Sequence, residues 1–433
     1  MRRCVAVIGS VVVFFASFAR AEDPQAWIDK QLPQAVELYR HFHQTPELSF
    51  EERNTSERFA KELRDVGCEV TTGVGGFGVV GILANGEGPR LMIRADLDAL
   101  PVTEVTNLKY ASKVKVKDST GKETGVMHAC GHDIHMTSLL TSARYLATHK
   151  DKWRGTIMFI GQPAEERGGG AQMMLKDGLF TKFPKPDFAL ALHVDSVLAS
   201  GKVGYRSGYA LANVDSADIT VKGRGGHGAY PHTTIDPIVQ AAHLVVDLQS
   251  IVSREIKPTE PAVITVGSIH GGTKHNVIGD TCHLQLTVRS YSPKVRKQLQ
   301  ASIRRKALAV AKSFDAPDPV VEFSDGTPAM FNDESLVARV VPTLKRVLGD
   351  DRVEETDPSM GGEDFSEYGL AGVPIFMYWL GGVEEQRLAG YKRLGQVAPS
   401  LHSPVFYPDA EPTLRTGVIT MCSAAIDLLP VKP

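Results

Sequence analysis

The spacing of hydrophobic and polar residues divides the first half of the chain into helical and strand-like segments. Apolar residues recur every three to four positions in several stretches, which predicts amphipathic helices at residues 27–43, 55–66, 136–147 and 170–177. Runs rich in apolar and β-branched residues predict strands at residues 69–72, 77–83, 90–95, 156–162 and 188–192. Helices with one apolar face pack against a sheet, so this half predicts an α/β domain.

The pattern changes at about residue 215. From there the order is strand, helix, strand, strand, helix, strand, at residues 217–221, 235–252, 262–268, 283–290, 294–314 and 320–323. That order is the ferredoxin-like pattern. The end of the chain returns to helix, strand and helix, at residues 334–348, 374–379 and 413–428.

These segments predict two domains, one inserted into the other. We expect an α/β catalytic domain, made of residues 22–214 and 328–433, with a central mixed sheet flanked by helices. Residues 215–327 are expected to form an inserted ferredoxin-like α+β domain. Joins near 212–216 and 325–330 should let this domain close over the site.

The first 21 residues have the features of a secretory signal peptide. Arg2 and Arg3 precede an apolar run at 5–18, and the small residue Ala21 marks the predicted cleavage point. A transmembrane anchor is the alternative, but the run is shorter than the roughly 20 residues that span a bilayer. We expect export to a periplasm or out of the cell, with no stable membrane anchor after cleavage.

Composition indicates a globular enzyme and excludes several other classes. The chain of 433 residues is 42% hydrophobic and 23% charged, with a net charge of -2. Because no basic surface is indicated, nucleic acid is not an expected partner. Five cysteines do not make a disulfide framework in a chain of this length, and whether Cys68, Cys282 or Cys422 pair stays open.

Several segments carry side chains that can bind a metal or transfer a proton. The stretch at 127–135, MHACGHDIH, places Cys130 and His132 in a loop that leads into a helix, where the two side chains can converge. The helix N-terminus should also favour the thiolate of Cys130. Three predicted strands lead into further candidates, namely Asp96, the adjacent Glu165 and Glu166, and His193. Together they predict one metal-dependent site at an edge of the sheet.

Seven segments occur in an order that resembles the dinuclear-metal aminoacylase and carboxypeptidase-like family. They are RADLDALP, MHACGHDIH, GQPAEE, ALHV, GRGGHGAYPH, SMGGEDFS and LHSP. The resemblance extends from about residue 35 to 428, and within the family the chain looks most like the hippurate hydrolase and indole-acetyl-amino-acid hydrolase branch of amidohydrolases. Each segment alone is weak evidence, but their shared order is specific.

The resemblance implies two divalent ions, whether Zn, Mn, Co or Ni, and a role for each matching residue. The implied metal ligands are Cys130, which would bridge the ions, and His132, Glu166, His193 and His402. Glu165 matches the general base, and Asp96 matches a supporting carboxylate. Many relatives carry a histidine ligand where this chain has Arg94.

Other matching residues concern the substrate and the partner subunit. The resemblance implies that the inserted domain, residues 215–327, serves as a lid and dimerisation surface. His227 matches a residue that stabilises the oxyanion, often from the second subunit of a homodimer, while Asn276 and Arg289 match positions near the substrate carboxylate. A structural ion pair is an alternative role for Arg289. Asp98, Asp133 and His135 are expected to support the ligands.

The expected activity is hydrolysis of the amide bond of N-acyl amino acids through a metal-activated water. A dipeptidase or carboxypeptidase acting on small peptides is the alternative, and a non-catalytic ligand-binding relative is a further one. Departures from the family pattern include Gly279, where relatives usually have proline, and longer loops at 110–126 and 383–400. The sequence leaves the acyl group and the amino acid open.

Overall fold

A computed structural model describes residues 24–117, 121–324 and 326–431. The predicted signal peptide lies outside the described residues. In the described part of the chain, no helix combines the length and apolar character needed to cross a bilayer.

Helices and strands alternate along the described residues. The helices are α1 (Pro24–Gln44), α2 (Arg53–Asp65), α3 (His132–Thr148), α4 (Gly170–Lys176), α5 (Leu179–Lys182), α6 (Pro237–Ser250), α7 (Pro293–Ser313), α8 (Glu334–Leu348), α9 (Ser366–Leu370), α10 (Glu385–Arg393) and α11 (Ala410–Leu428). The first strands are β1 (Glu69–Val74), β2 (Gly78–Asn85), β3 (Arg90–Asp96), β4 (Lys115–Lys117), β5 (Glu123–Gly125), β6 (Gly155–Gln162), β7 (Phe188–Ala199), β8 (Val203–Tyr205) and β9 (Gly208–Leu211). The others are β10 (Asn213–Lys222), β11 (Gly226–His227), β12 (Ala262–Gly271), β13 (Val277–Ile278), β14 (Thr281–Ser290), β15 (Val320–Ser324), β16 (Met330–Asn332), β17 (Val353–Glu355) and β18 (Ile375–Val383).

The main sheet has eight strands in the order β1-β2-β6-β3-β7-β18-β8-β17. Its central strands β6, β3, β7 and β18 run parallel to one another, whereas β1, β2 and β8 add antiparallel pairings. The predicted mixed central sheet flanked by helices is therefore confirmed. Parallel strands place their carboxyl ends at one edge of the sheet, which is where the candidate residues follow.

Both faces of this sheet are buried, and the period-two alternation of β6 shows why. Ile157 and Phe159 point into a core formed with α1, α2, α3, α8 and α11. Met158 and Ile160 point into the opposite core, against α4, α5 and α9. A strand covered on both sides reads as a continuous apolar run, as residues 156–162 do.

A second, antiparallel sheet has the strand order β12-β14-β10-β15. With its two helices the chain order is β10, α6, β12, β14, α7, β15, which is the predicted strand and helix succession. This unit has its own apolar core, formed by both helices and by the inner faces of its strands. Its service as a lid or dimerisation surface stays a prediction.

Two segments expected to be loops contain regular structure. The segment 110–126 includes the short hairpin β4–β5, in which the side chains of Lys115 and Glu123 form a salt bridge. The segment 383–400 includes α10, none of whose residues is buried. A helix without a buried face has no apolar periodicity to reveal it, although Glu385 in the first turn and Arg393 in the last suit the helix dipole.

Candidate active site

The strand β7 extends further than the sequence predicted. It continues to Ala199, so His193 lies within the strand and pairs with Trp379 of β18. Polar residues after His193 interrupt the apolar run, while the backbone pairing with β18 continues. His193 therefore sits on a rigid element, not on a strand end.

Five side chains converge at the carboxyl edge of the sheet. Cys130 is central, with its Sγ 3.6 Å from Nε2 of His193 and 3.3 Å from Nε2 of His402. Glu166 Oε1 lies 3.5 Å from His402 Nε2 and 3.7 Å from His132 Nε2. The structure thus brings all the residues predicted as ligands together.

The tautomers of two histidines leave a lone pair directed at this centre. Nδ1 of His132 donates to the backbone carbonyl of Asp98 at 2.8 Å, and Nδ1 of His193 donates to that of Val194 at 2.8 Å. Each Nε2 is therefore an acceptor or a metal ligand. His132 Nε2 and Glu166 Oε1 are buried and have no hydrogen-bond partner among the described residues.

Such buried atoms without partners are costly unless something binds them. The donor set of one thiol, three imidazoles and one carboxylate is one that Zn and similar transition metals prefer. The residues present thus fit a metal centre. Burial and the nearby Glu166 carboxylate raise the pKa of the Cys130 thiol well above its ordinary value, which outweighs the helix effect expected from sequence.

The backbone before α3 brings Cys130 and His132 to the same side. Gly131 between them has a φ of 82°, and a Cβ there would lie 3.1 Å from side-chain atoms of Val194. Only glycine combines this conformation with such close contact at no steric cost. The reversal lets residues two positions apart face one centre, as the sequence predicted.

Two other residues near the centre have left-handed backbone conformations. Ala164 has a φ of 49° and His402 a φ of 67°. Ala164 turns the chain after β6, so that the backbone N–H groups of Glu165 and Glu166 donate to the two carboxylate oxygens of Asp98 at 3.1 and 3.0 Å. The Asp98 carboxylate thereby fixes the pair while their side chains point to different places.

Glu165 lies near two further acids, Glu363 and Asp364, and ligand atoms of the three carboxyl groups lie within 4.8 Å of one another. It also lies within 4.8 Å of His132 and Glu166. Burial, Glu363, Asp364 and Glu166 together raise the pKa of Glu165 well above its ordinary value. A carboxylate with a raised pKa is a better proton acceptor at neutral pH. The two adjacent glutamates therefore have different surroundings: Glu166 lies between the imidazoles of His132 and His402, whereas Glu165 also contacts the acids Glu363 and Asp364.

Arg94 is buried next to Glu363 and Asp364 and forms ion pairs with both. Its guanidinium donates to Asp96 at 2.8 Å, to Glu363 at 2.8 Å and to Asp364 at 3.0 Å. Its Nε donates to Gln162 at 2.9 Å. The sequence suggested only a missing ligand at this position, whereas the structure shows an ion-pair network. No local signal identifies this network, because Glu363 and Asp364 are far from Arg94 along the chain.

Asp96 and His135 form a hydrogen-bonded pair next to the metal-binding side chains. Nδ1 of His135 donates to Asp96 Oδ1 at 2.7 Å, and its Nε2 accepts the N–H of Val194 at 2.9 Å. Both ring nitrogens are thus engaged, so His135 cannot be a ligand in this arrangement. Although burial raises it, the neighbouring His132, the hydrogen bond from His135 and the charge of Arg94 hold the pKa of Asp96 well below its usual range.

A second buried network lies behind α3. His43 of α1 bonds Asp133 at 2.7 Å and Glu104 at 3.2 Å. Although burial alone lowers it, these two carboxylates raise the pKa of His43 to about 9. The sequence alone indicates no role for His43. The structure makes it a link between α1, the segment after β3 and the start of α3.

A cavity of about 910 Å³ opens onto this centre. Cys130, Glu165, Glu166, His193 and His402 line it on one side, and residues of the second unit line it on the other. Arg289 is among the latter, although its Nε donates to Thr287 and its NH1 group to the carbonyl of Met360.

Two predicted residues stand apart from the cavity. His227 lies in β11 and Asn276 directly precedes β13, the strand that pairs with β11. The N–H of Gly228 donates to the Asn276 carbonyl at 2.9 Å. Both are exposed, and neither lines the cavity. One chain alone does not bring them to the metal-binding side chains.

The cysteines in the described residues are all free and buried, namely Cys68, Cys130, Cys282 and Cys422. Cys68, Cys282 and Cys422, whose pairing the sequence left open, therefore form no disulfide with one another in the structure. Burial raises the pKa of Cys68 and of Cys422 to about 12, so neither thiol is reactive at neutral pH.

Comparison with known proteins agrees with this geometry. The model of peptidase family M20/M25/M40 matches residues 92–392, more than half of the chain. Thermostable carboxypeptidase 2 of Saccharolobus solfataricus is 37% identical over 395 residues, which cover 90% of this chain and 94% of that protein. Hippurate hydrolase of Campylobacter jejuni is 37% identical over 76% of this chain and 83% of its own.

Among solved structures, the YXEP protein of Bacillus subtilis, described as a dinuclear metal binding peptidase from the M20 family, has a TM-score of 0.75. It is 28% identical, and the match covers 92% of this chain and 98% of that one. The family indicated by the sequence motifs is therefore confirmed. The chain belongs to peptidase family M20/M25/M40 and is a hydrolase of amide or peptide bonds.

Proposed function

We propose that the protein is an exported amidohydrolase that releases the amino acid from N-acyl amino acids, with two divalent metal ions as cofactors. The observation that carries the proposal is the meeting of Cys130, His132, Glu166, His193 and His402 around unpartnered donor atoms, with Glu165 directly beside them. The similarity to hippurate hydrolase and to a dinuclear metal-binding peptidase supports both the reaction and the metals.

Cys130 is within reach of His132 and His193 on one side and of Glu166 and His402 on the other, so it would be shared between the ions. When bound, ions of this kind acidify water and polarise the scissile carbonyl. Zn, Mn, Co and Ni all suit these donors.

Glu165 acts as general base in this proposal. Its raised pKa lets it accept a proton from the attacking water and later return that proton to the leaving amine. Glu166 cannot do so, because its carboxylate points to the imidazoles of His132 and His402. Asp96 acts indirectly, by orienting His135 and by accepting from Arg94.

The cavity supports a bulky acyl group and a carboxylate. Leu211, Val214, Trp379 and Leu401 form its apolar wall, and the planar guanidinium of Arg289 suits the free carboxylate of the amino acid. Dipeptidase or carboxypeptidase action is the alternative within the same chemistry, favoured by the similarity to a carboxypeptidase. Free dipeptides, N-acetyl and N-benzoyl amino acids, compared at equal concentration, would separate these activities.

The adjacent glutamates provide a matched test of the mechanism. Glu165→Gln is expected to lower kcat by about 10² to 10⁴ while keeping both metal ions, because only the proton acceptor is lost. Glu166→Gln is expected to lose metal as well as activity. Both variants would be assayed on N-acyl amino acids, and their metal content measured by mass spectrometry. Equal activity of Glu165→Gln and wild-type protein would exclude the proposed mechanism.

A homodimer would complete the site with His227 and Asn276 of a second copy. Exposed apolar side chains lie on α6 and on the outer strand β12, at Ile238, Val246 and Ile269, and support an interface on this unit. A test is to co-express His227→Ala with Glu165→Gln. If His227 acts across the interface, mixed dimers contain one intact site, and about a quarter of wild-type activity returns. If it acts within its own chain, mixing restores nothing.

Closure of the inserted unit over the cavity is part of the proposal. The two connections run side by side, since the N–H of Val214 donates to the carbonyl of Thr327 at 2.9 Å. A paired connection of this kind suits a hinge. X-ray scattering with and without a substrate analogue should show a more compact particle when the analogue is bound, and identical curves would contradict closure.

Export is proposed from the basic start, the apolar run and the small residues that precede residue 22. Cell fractionation should place the protein outside the cytoplasm, with an N-terminus at Glu22. Retention of the full chain in the cytoplasm would contradict it.

A further inference from the structure

Arg167 directly follows the two glutamates of the site and lines the cavity. Its side chain is exposed, and among the described residues no carboxylate or other group pairs with it. The nearby acids are already engaged: Glu363 is bound to Arg94, Glu165 faces the acid cluster and Glu166 faces the imidazoles. Arg167 is therefore a free cation at the edge of a reaction site.

Residues of the second unit that line the same cavity present hydroxyl groups. Ser216 pairs directly with Thr287 on one neighbouring strand and with Ser324 on the other, so the three side chains form a row on one face of the sheet. Arg289, two residues beyond Thr287, projects from the same face. Both serines of the row line the cavity.

A further hydroxyl of the cavity wall is buried. Thr327 is only 7% exposed and lines the cavity, and its Oγ1 has no hydrogen-bond partner among the residues that the structure describes. It lies against the residue after Arg167, since a Cβ on Gly168 would be 3.0 Å from the Thr327 methyl group. Thr327 therefore lies beside the segment that carries Arg167, with its methyl group toward Gly168 and its hydroxyl toward Gly362, where a Cβ would be 2.8 Å from Oγ1.

A guanidinium has donors only, and hydroxyl groups can all donate, so this part of the cavity is suited to an anion. Arg289 would bind the carboxylate of the substrate amino acid. Arg167 and the hydroxyl groups are then left to bind a second carboxylate. We infer that the preferred substrates are dianionic: N-acyl amino acids with a second carboxylate held by Arg167. This inference rests on the proposed function and names the substrate class of the same site.

The second carboxylate can belong to the amino acid or to the acyl group, and paired substrates distinguish the two sources. N-acetylglutamate is compared with N-acetylglutamine for the first, and an N-glutaryl with an N-glutaramoyl amino acid for the second. Charge-assisted hydrogen bonds predict a preference of about tenfold or more in kcat/KM for the acid of one pair. The preference should fall to about one in Arg167→Gln and be largely retained in Arg167→Lys.

Arg254→Gln is the matched control, because Arg254 is an exposed arginine of the second unit that does not line the cavity. It should keep the wild-type preference. A wild-type ratio near one for both pairs would overturn the inference, and so would an equal ratio in Arg167→Gln. Hydrolysis of the neutral members would show in the same assay that the proposed function stands even then.

A binding measurement tests the inference without any turnover. Calorimetry would compare glutarate with its monoamide, glutaramate, on the metal-loaded protein. The expected result is at least about tenfold tighter binding of glutarate to the wild-type protein, with the difference lost in Arg167→Gln. Equal affinity, or no binding of either compound, would count against a dianion site. Failure of hydrolysis with retained glutarate preference would instead refute the proposed function alone.

Discussion

Replacing Arg94 with methionine is the perturbation most directly defined by the structure. Methionine has a similar length but cannot compensate the three carboxylates that the guanidinium contacts, at 2.8 to 3.0 Å. The arginine side chain is 1% exposed, and the partner side chains are 0 to 2% exposed. Water and salt therefore cannot replace the lost charge.

Removing one partner of a buried ion pair typically costs roughly 3–5 kcal/mol, a large part of the roughly 5–15 kcal/mol that holds a typical protein folded. Arg415→Met is the matched control, because Arg415 pairs with Asp29 at the surface, where their side chains are 35% and 52% exposed. Exposed pairs contribute about 1 kcal/mol or less. Urea unfolding of both variants and the wild-type protein would measure the difference.

The loss should also depend on pH. Asp364 already has a pKa raised to about 7, because burial raises it more than the charge of Arg94 lowers it. Without Arg94 its folded-state pKa rises further, so stability is lost as the pH rises through that value. The deficit of Arg94→Met should therefore be smaller at pH 5 than at pH 8. An Arg94→Met protein as stable as Arg415→Met at pH 8 would refute this reasoning.

Three further predictions concern residues around the site. His43 has a pKa of about 9 in the folded protein and about 6.5 in the unfolded chain, so its ion pairs stabilise the fold fully below pH 6.5 and are lost as the pH rises through about 9. His43→Gln should therefore lower the urea midpoint more at pH 6 than at pH 10. His135→Leu should weaken metal binding by about 10- to 100-fold in a chelator competition, because it frees Asp96 to reorient. A Cβ on Gly170 would lie 1.5 Å from the Pro163 carbonyl oxygen, so Gly170→Ala should abolish activity by displacing the turn that precedes the general base Glu165. Gly390→Ala is the control, because a Cβ there would have nothing within 4 Å. It should raise the free energy of unfolding in urea by up to about 1 kcal/mol.

Much of the fold could be predicted from local pattern. The buried strands of the main sheet are found close to their predicted positions, because burial on both faces leaves continuous apolar runs. The helix α10 and the hairpin β4–β5 could not be found in this way, since they bury almost nothing. The extent of β7 beyond Leu192 was missed because the pairing with β18, not residue type, determines where the strand ends.

The candidate site could also be predicted only in part from the sequence. Residue types and their order predicted which side chains would meet, and the turn at Gly131 could be expected because two residues of a short loop had to converge. The separate orientations of Glu165 and Glu166 depend on the left-handed Ala164 and on the Asp98 carboxylate. Neither feature has a local signal.

The sequence by itself determined the long buried helices and strands, the family and the chemical nature of the site residues, since these follow from periodicity and from motifs read in order. Only the tertiary structure decided what surrounds them. Arg94 meets Glu363 and Asp364 across 269 and 270 residues of chain, and the engaged nitrogens of His135 exclude it as a ligand. The physical reason is that ion pairs and tautomers depend on which groups strand order brings together, and distance along the chain carries no information about that.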